Sequence, residues 1–299
     1  MENFILIILC IVIGYGLNRL HIFSKDAATT LNQFVIYVSL PAMILLQIPK
    51  LTFSMDTLIP VIIAWLVMFI TAILILLLSK FFNFSKEITG SLMLVAILTN
   101  SSFLGIPILN AYMGESALPY VLVYDQLGTF IALATYGTFI ASYYSSKSEL
   151  SFKIILYKVL TFPPFLSLIV ALFLIGVEFN ENLTKVLSAL AATIVPVALV
   201  AVGLQLKLKL QKEEIKPFSV ALTVKLIIAP LIAFLICKLF SWEGDISTIS
   251  IMEAGMAPMI TAGAIASMAG LAPRLSSAVV GYGIIISFIT TYILFMLIS

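Results

Sequence analysis

The chain has 299 residues, of which 62% are hydrophobic and only 10% are charged. A soluble domain carries about 25% charged residues, and apolar runs recur along the whole chain, so the composition excludes a sizeable soluble domain. The formal net charge of +2 comes from basic residues scattered singly between apolar runs, so no basic patch indicates a nucleic-acid partner and none is expected. Cys10, Cys237 and His21 are far apart in the sequence, so no cysteine or histidine cluster indicates catalysis or metal binding.

Ten apolar runs predict an all-α integral membrane protein with ten transmembrane helices. Each run is close to the roughly 20 residues that a helix needs to cross a bilayer, and a helix satisfies its own backbone hydrogen bonds in lipid. In chain order, spans 1 to 10 are predicted at residues 3–20, 28–47, 56–80, 87–112, 117–144, 152–177, 182–206, 217–240, 246–270 and 274–298.

Lysine and arginine residues predict the orientation of these spans, because they concentrate in cytoplasmic loops. The loops after the odd-numbered spans hold 12 of the 16 basic residues, the opposite loops hold three, and Lys225 lies inside span 8. The sequence therefore predicts a multi-pass protein of the inner (plasma) membrane with both termini outside the cytoplasm. The 12 residues are Arg19, Lys25, Lys80, Lys86, Lys147, Lys153, Lys158, Lys207, Lys209, Lys212, Lys216 and Arg274.

Proline landmarks predict that the chain consists of two related halves. Pro41 in span 2 and Pro196 in span 7 are 155 residues apart, and Pro119 and Pro273, which open spans 5 and 10, are 154 residues apart. Five spans per half place the halves in opposite orientations, which is the inverted repeat of many secondary transporters. We expect a first repeat at residues 1–145 and a second at residues 152–299, joined by the segment 145–151.

Spans 4 and 9 each carry an interruption near mid-membrane. In span 4 the polar run 99–102 is followed by Gly-Ile-Pro at 105–107, and in span 9 Glu253, Gly255 and Pro258 lie within six residues. Proline cannot donate a backbone hydrogen bond and disfavours helix at the preceding residue. Paired interruptions in corresponding spans predict discontinuous, crossing helices that form a binding site. The alternative is a proline kink whose freed backbone groups are satisfied by neighbouring helices.

Interrupted helices suit a transporter of ions for a simple electrostatic reason. A break exposes unpaired N–H groups on one half-helix and unpaired C=O groups on the other. The N–H ends favour an anion, and the C=O ends, helped by carboxylates, favour a cation. A crossed pair of such helices therefore predicts an anion site and a cation site side by side.

Four motifs make the chain similar to the auxin efflux carrier family. They are TNSSFLGIPILNAYMG in span 4, LNQFVIYVSLPAMIL in span 2, VKLIIAPLIA in span 8 and EAGMAPMITAGAIASMAG in span 9. The resemblance covers nearly the whole chain and implies a scaffold domain from spans 1, 2, 6 and 7 and a crossover domain from spans 3–5 and 8–10. It implies a carboxylate substrate, either auxin-like or a dicarboxylate such as malate. The chain lacks the long central cytoplasmic loop of many plant members, so auxin itself is not implied.

The same resemblance implies that Asn100 contacts the substrate carboxylate, beside Pro107 and Pro258. The candidate substrate-binding residues are those at the two interruptions together with the proline of span 2. They are Asn100, Ser101, Gly105, Pro107, Pro258, Met259 and Pro41.

Three ionisable residues lie inside predicted spans, where a charge is costly and indicates a function by default: Asp125, Lys225 and Glu253. The tetrapeptide EAGM at 253–256 resembles the Glu-x-Gly-Met of the bile-acid sodium symporters, which have the same crossover architecture. That resemblance implies a sodium ion held by oxygen ligands, which hard cations prefer. The candidate ligands are Glu253, the Met256 carbonyl, Asp125, Thr129 and either Ser101 or Ser102.

Two other roles for these charges stay open. Asp125 or Glu253 could carry a proton, because burial disfavours the charged form of a carboxyl group. Lys225 could instead neutralise one of the two carboxylates in a structural ion pair. The coupling ion is thus expected to be Na⁺ or H⁺, with no other cofactor.

These patterns predict a secondary active transporter, not an enzyme, that moves a small organic anion by alternating access in symport with sodium or protons. The expected partners are a carboxylate substrate and the lipid bilayer, and a homodimer is compatible with the sequence. The alternatives are a channel of the same fold, a cation/proton antiporter without an organic substrate, and a membrane enzyme. The sequence disfavours the enzyme because no nucleophile constellation is present.

Overall fold

The computed structural model describes residues 2–24, 26–50, 54–145, 160–205 and 210–298, and within these ranges the chain forms helices and no strand. The helices are α1 (Glu2–Arg19), α2 (Ala27–Lys50), α3 (Met55–Phe81), α4 (Lys86–Val95), α5 (Ile106–Met113), α6 (Glu115–Tyr144), α7 (Pro163–Phe173), α8 (Glu181–Gln205), α9 (Lys212–Leu239), α10 (Asp245–Ala254), α11 (Ile260–Met268) and α12 (Pro273–Ile298).

Six of these helices are long and apolar enough to cross a membrane: α2, α3, α6, α8, α9 and α12. Helices α1 and α7 are shorter apolar helices. The predicted spans 4 and 9 each contain two short helices with an interruption between them, α4 with α5 and α10 with α11. The structure therefore confirms an all-helical membrane chain with six candidate spans, and the ten-span inverted repeat stays a prediction.

Part of the sequence-based prediction falls on residues outside the described ranges. These include most of the proposed junction 145–151, the first part of span 6, and six of the 12 basic residues that predict orientation. The six are Lys25, Lys147, Lys153, Lys158, Lys207 and Lys209.

Three prolines explain three π turns within the helical stretches. Pro41, Pro107 and Pro230 each follow a π turn by two residues, and the residue before each proline donates its N–H to the carbonyl five positions back. Proline has no backbone N–H, so the carbonyl four positions before it loses its usual partner and the hydrogen-bond ladder shifts by one residue. The π turns lie at Val35–Ser39, Ser101–Gly105 and Val224–Ile228.

The helices pack in two groups that meet at the interruptions. In the first group α1 lies along the second half of α8, and α2 packs against α7 and α8. In the second group α10 packs against α3 and α9, while α11 packs against α4 and α12. The π turn Ser101–Gly105 and α5 of the second group contact the second half of α8 in the first. The interrupted helices are thus placed where the two groups touch.

Two glycines allow α1 and α8 to approach backbone to backbone. A methyl group added at Gly14 would collide with the carbonyl oxygen of Val200, and one added at Gly203 would collide with the backbone of α1. Small residues at helix contacts are the usual means of close packing between helices in a bilayer. Gly16 lies two positions from Gly14 on the same helix, and a methyl group added there would meet no atom within 4 Å.

We predict that Gly14→Ala lowers the melting temperature of the purified protein in detergent, whereas Gly16→Ala does not. The first variant overpacks the contact with α8, at a cost of about 1–3 kcal/mol, while the second only gains helix propensity. The tryptophan fluorescence of Trp65 and Trp242 during a thermal ramp provides the measurement. Equal melting temperatures for the two variants would contradict the close contact of α1 with α8.

Candidate functional site

The two interruptions cross and hydrogen-bond to each other through their backbones. The N–H of Asn100 donates to the carbonyl of Ala257 at 2.9 Å, and the N–H of Met259 donates to the carbonyl of Leu98 at 3.0 Å. These two bonds flank an antiparallel bridge between residues 99 and 258. Backbone groups that leave one helix ladder therefore find partners in the other interruption, as a buried or lipid-embedded backbone requires.

The crossing joins equivalent positions of the two interrupted segments. Residues 99 and 258 are 159 positions apart, and the same separation relates the first residues and the last residues of α4 and α10. Under this relation, residue 98 corresponds to residue 257 and residue 100 corresponds to residue 259. The bond from Asn100 to Ala257 is therefore equivalent to the bond from Met259 to Leu98. A local two-fold relation between the segments accounts for this pattern.

The interruption of span 4 lies earlier than the sequence predicts. Helix α4 ends at Val95, the backbone leaves the helical region at Asn100 (φ −84°, ψ 62°), and the π turn begins at Ser101. Pro107 lies in the first turn of α5 and not in the break itself. Pro107 is tolerated at this position because the π turn before it has already shifted the hydrogen-bond ladder by one residue. Pro258, in contrast, lies within its interruption, as predicted.

Lys225 links α9 to both interruptions. Its side chain is 1% exposed, and its ammonium group donates to the hydroxyl of Thr99 at 2.5 Å and to the carbonyl oxygen of Ala254 at 3.2 Å. Ala254 is the last residue of α10, and the carbonyl end of a helix favours a positive charge. Lys225 thus lies where the broken helix offers its unpaired carbonyls.

Asp125 is the centre of a polar cluster in which every member except the half-buried Ser102 is fully buried. Its Oδ1 accepts from the hydroxyls of Ser101 at 2.5 Å and Ser102 at 2.6 Å, and its Oδ2 accepts from the side-chain amide of Gln126 at 2.6 Å. The residue is 1% exposed and lies in the π segment Tyr124–Phe130 of α6. Three donors around one carboxyl group fit an ionised carboxylate, which only accepts hydrogen bonds.

Glu253 differs from Asp125 because its carboxyl group has no hydrogen-bond partner among the described residues. It is 0% exposed, and both Oε atoms are buried without a partner. The carboxyl lies directly against Gly105, where an added methyl group would collide with both oxygens. A buried charge without a partner is strongly unfavourable, so this group suits the binding of a proton or a cation.

The residues near Glu253 and Asp125 also fit the oxygen chemistry of a sodium site in part. Ser101, Ser102 and Asp125 bring three oxygens together, and Gly105, which touches Glu253, belongs to the same π turn as the two serines. Among the described residues there is no group of three or more His, Cys, Asp or Glu side chains that could hold a metal ion. Serine hydroxyls and backbone carbonyls would therefore have to complete a sodium shell.

A small cavity of about 60 Å³ lies where the two helix groups meet. Asn100, Ser102, Asp125 and Met259 line it, so the structure brings these predicted site residues together. The side-chain Nδ2 of Asn100 is buried and has no acceptor among the described residues. A space of this size exceeds the roughly 10–15 Å³ that one water molecule needs.

Other predicted site residues lie close to the crossing but outside this cavity. Ser101 and Gly105 belong to the π turn beside it. Glu253 lies in the last turn of α10, and Pro258 lies in the second interruption. Pro107, Met256 and Thr129 are buried and have no side-chain hydrogen bond to the Asp125 cluster in the part of the chain that the structure describes. Pro41 does not line the cavity, whereas its neighbour Leu40 does.

Sequence analysis missed several residues that line the cavity. Gln126 follows Asp125 directly, and as an amide within an apolar run it could have been recognised as a site residue. Thr261 and Phe162 gave no such signal, because a threonine or a phenylalanine is common in a membrane helix. Phe162 stacks on Phe130 with ring centroids 3.8 Å apart, which joins the start of α7 to α6.

A wider cavity of about 550 Å³ opens beside α11, between the same two helix groups. Asn18 and Gln205, near the ends of α1 and α8, line one side, and Ile260 and Ser267 of α11 line the other. Ile260 directly follows Met259, which lines the small cavity. Helix α11 therefore has the small cavity at its first turn and the wide cavity along its length.

Comparisons with known proteins find a matching family and similar chains. Residues 1–295 match a protein family described as Membrane transport protein. An uncharacterized transporter of Methanocaldococcus jannaschii is 27% identical over 265 residues, covering 86% of this chain and 85% of that protein. An uncharacterized transporter of Methanothermobacter thermautotrophicus is 23% identical over 273 residues, covering 89% and 87%.

We predict that Lys225→Met destabilises the fold, whereas Lys238→Met on the same helix does not. The first substitution leaves the Thr99 hydroxyl and the Ala254 carbonyl without their donor, at a cost of about 1–3 kcal/mol. Lys238 is an exposed residue at the end of α9. Thermal melting of the purified variants in detergent, followed by tryptophan fluorescence, provides the measurement. A Lys225→Met variant that melts with the unmodified protein would show that these bonds contribute nothing.

Proposed function

Since the chain belongs to the membrane transport protein family, in agreement with its resemblance to the auxin efflux carriers, we propose that it is a secondary transporter of a small organic anion. The anion binds at the crossing of the two interrupted segments. The coupling ion binds either as a proton at Glu253 or as a sodium ion between Glu253 and Asp125. The binding site is exposed to each side of the membrane in turn, by alternating access.

One observation carries this proposal: Asn100, which lines a cavity between two groups of helices, has a buried amide donor without a partner among the described residues. A buried polar atom without a partner is rare in a folded protein and needs an explanation. A carboxylate accepts hydrogen bonds only, so it would supply the acceptor that Asn100 lacks. The backbone of α11 also begins at this cavity, and the first N–H groups of a helix favour an anion.

The carboxylates explain why the anion would need a coupling ion. Asp125 lines the cavity. The carboxyl group of Glu253 lies against Gly105, which belongs to the π turn whose serines donate to Asp125. An entering anion is repelled by these two groups, and Lys225 supplies one positive charge against them. A proton or a sodium ion at Glu253 removes part of the repulsion, so anion and cation bind better together than separately. Such a coupling between two ligands is the basis of symport.

The two helix groups supply the parts that alternating access requires. The group of α1, α2, α7 and α8 is proposed as the scaffold, and the group that contains the interrupted segments is proposed as the moving crossover domain. The cavity of about 550 Å³ lies between them near Arg19 and Arg274, which the charge rule assigns to the cytoplasmic side. The Phe130–Phe162 stack spans the two groups and would have to separate when they move.

We predict that Asn100→Ala strongly weakens carboxylate binding while the fold is retained. Loss of one hydrogen bond to a charged group costs about 1.5–3 kcal/mol, which is a roughly ten- to hundredfold loss of affinity. Asn110→Ala, on α5 and outside the cavity, is the matched control. Isothermal titration of a panel of small carboxylates into the purified protein provides the measurement. Unchanged affinity in the Asn100→Ala variant would remove Asn100 from the site.

We predict that Glu253→Gln removes the dependence of transport on the coupling ion. The neutral amide cannot take up a proton and binds a cation more weakly than a carboxylate does. Uptake of the bound carboxylate into proteoliposomes, measured with either a sodium gradient or a proton gradient, identifies which ion drives transport. Glu243→Gln is the control because Glu243 is largely exposed. Retained ion dependence in the Glu253→Gln variant would refute this role.

A further inference from the structure

The π segment Tyr124–Phe130 of α6 has no proline to explain it. The π turns in spans 2, 4 and 8 each end two residues before a proline. Between Pro119 and Pro163, in contrast, the sequence contains no proline. The π form of this segment therefore depends on its contacts with neighbouring helices, and π segments within α-helices are frequent at functional sites.

Trp65 of α3 makes a polar contact with the middle of this segment. Its indole Nε1 donates to the carbonyl oxygen of Leu127 at 3.1 Å. An indole N–H can only donate, and a lipid tail offers it no acceptor. The Leu127 carbonyl thus supplies the partner that the half-buried Trp65 needs within a predicted span.

Gly128 brings the same segment close to α3. A methyl group added at Gly128 would collide with the side chain of Ala64, the residue before Trp65. Two consecutive residues of α3 therefore meet two consecutive residues of α6, Ala64 against Gly128 and Trp65 against Leu127. This contact holds the π segment at its centre.

The π form decides which side chains of α6 face the small cavity. Residues five positions apart lie about 140° apart around an α-helix, whereas the i→i+5 bonds of a π segment bring them to nearly the same face. Asp125 and Phe130 are five positions apart, and both line the cavity of about 60 Å³. Asp125 also accepts from the hydroxyls of Ser101 and Ser102 in the first interruption. The π form thus places Asp125 and Phe130 together beside the crossing.

We propose that Trp65 is a positioning residue of the transport site, because its indole N–H holds α6 in this π form. Trp65 is not among the described residues that line the small cavity, so it acts through the Leu127 carbonyl. The inference rests on the anion transport proposed above. Without the bond, the segment relaxes toward an α-helix, which turns Asp125 and Phe130 onto different faces and weakens ligand binding.

Titration of acetate, lactate, succinate and malate into purified variants tests this inference. Trp65→Phe keeps an aromatic ring and removes the N–H donor. An acid that binds to the unmodified protein should therefore bind about three- to tenfold more weakly to this variant. Trp242→Phe is the matched control, because Trp242 is the other tryptophan of the chain and stacks on Phe240 just after α9. Its affinity should be unchanged.

The fluorescence of Trp65 is a second readout, which a purely structural role would leave constant. In the Trp242→Phe protein Trp65 is the sole tryptophan. Its emission should change as the acid is added, with the same midpoint as the titration, because the ligand binds beside the segment whose carbonyl holds the indole. In the Trp65→Phe protein the emission of Trp242 should not respond.

Gly128→Ala disturbs the same contact from the side of α6. The added methyl group pushes the π segment away from Ala64, so this variant should bind the acid as weakly as Trp65→Phe does. Adding Ala64→Gly makes room for the methyl group and should restore the affinity. This pair decides the matter together with the emission of Trp65 if Trp65→Phe does not fold.

The results that would overturn the role of Trp65 differ from those that would overturn transport. Unchanged affinity in Trp65→Phe, or a Trp65 emission that does not respond to a bound acid, overturns the positioning role and leaves anion transport standing. A Gly128→Ala variant that binds like the unmodified protein overturns it as well. If none of the acids binds to the unmodified protein, the inference fails together with the proposed function.

Discussion

The structure depends on one requirement, that backbone groups freed within a membrane helix must find partners away from water. Here two interrupted segments satisfy each other, because Asn100 donates to Ala257 and Met259 donates to Leu98. The crossing fixes where the chain leaves its helical path and where it resumes it. The side chains that enter the site, from Asn100 to the π turn with Ser101, take their positions from that crossing. If either segment were an uninterrupted helix, the freed backbone N–H and C=O groups of the other segment would have no partners.

The buried charges are arranged around the same crossing. Lys225 donates to Thr99 of the first interruption and to Ala254 of the second, so the ammonium group ties both breaks to α9. Asp125 is surrounded by donors, whereas Glu253 has none among the described residues. The hydrogen-bonded Asp125 suits a fixed part of the proposed site. Glu253, which lacks hydrogen bonds, suits the uptake and release of a coupling ion.

Much of the helical organisation could be predicted from the sequence, because lipid allows few alternatives to a helix and the apolar runs are long. The interruptions could also be predicted, since glycine and proline mark both. The limits of the interruptions could not be predicted. Pro107 lies at the start of α5 and not in the break. The break at residues 96–100 depends on a tertiary hydrogen bond to Ala257 that no local pattern reveals. Gln126 and Phe162 were missed for a related reason, because only the packing of two distant helix groups places them in one cavity.

Cross-linking between the two interruptions tests the central claim most directly. In a background with Cys10 and Cys237 replaced by serine, Thr99→Cys and Pro258→Cys should form a disulfide on mild oxidation, because paired residues of an antiparallel bridge lie about 4.5–5.5 Å apart and a disulfide spans about 4.4–6.8 Å. Thr99→Cys with Met268→Cys, at the exposed far end of α11, serves as the control. We predict rapid cross-linking of the first pair only, read out by proteolysis and mass spectrometry. Equal cross-linking of the two pairs, or none in the first, would contradict the crossing on which the site and the transport mechanism are built.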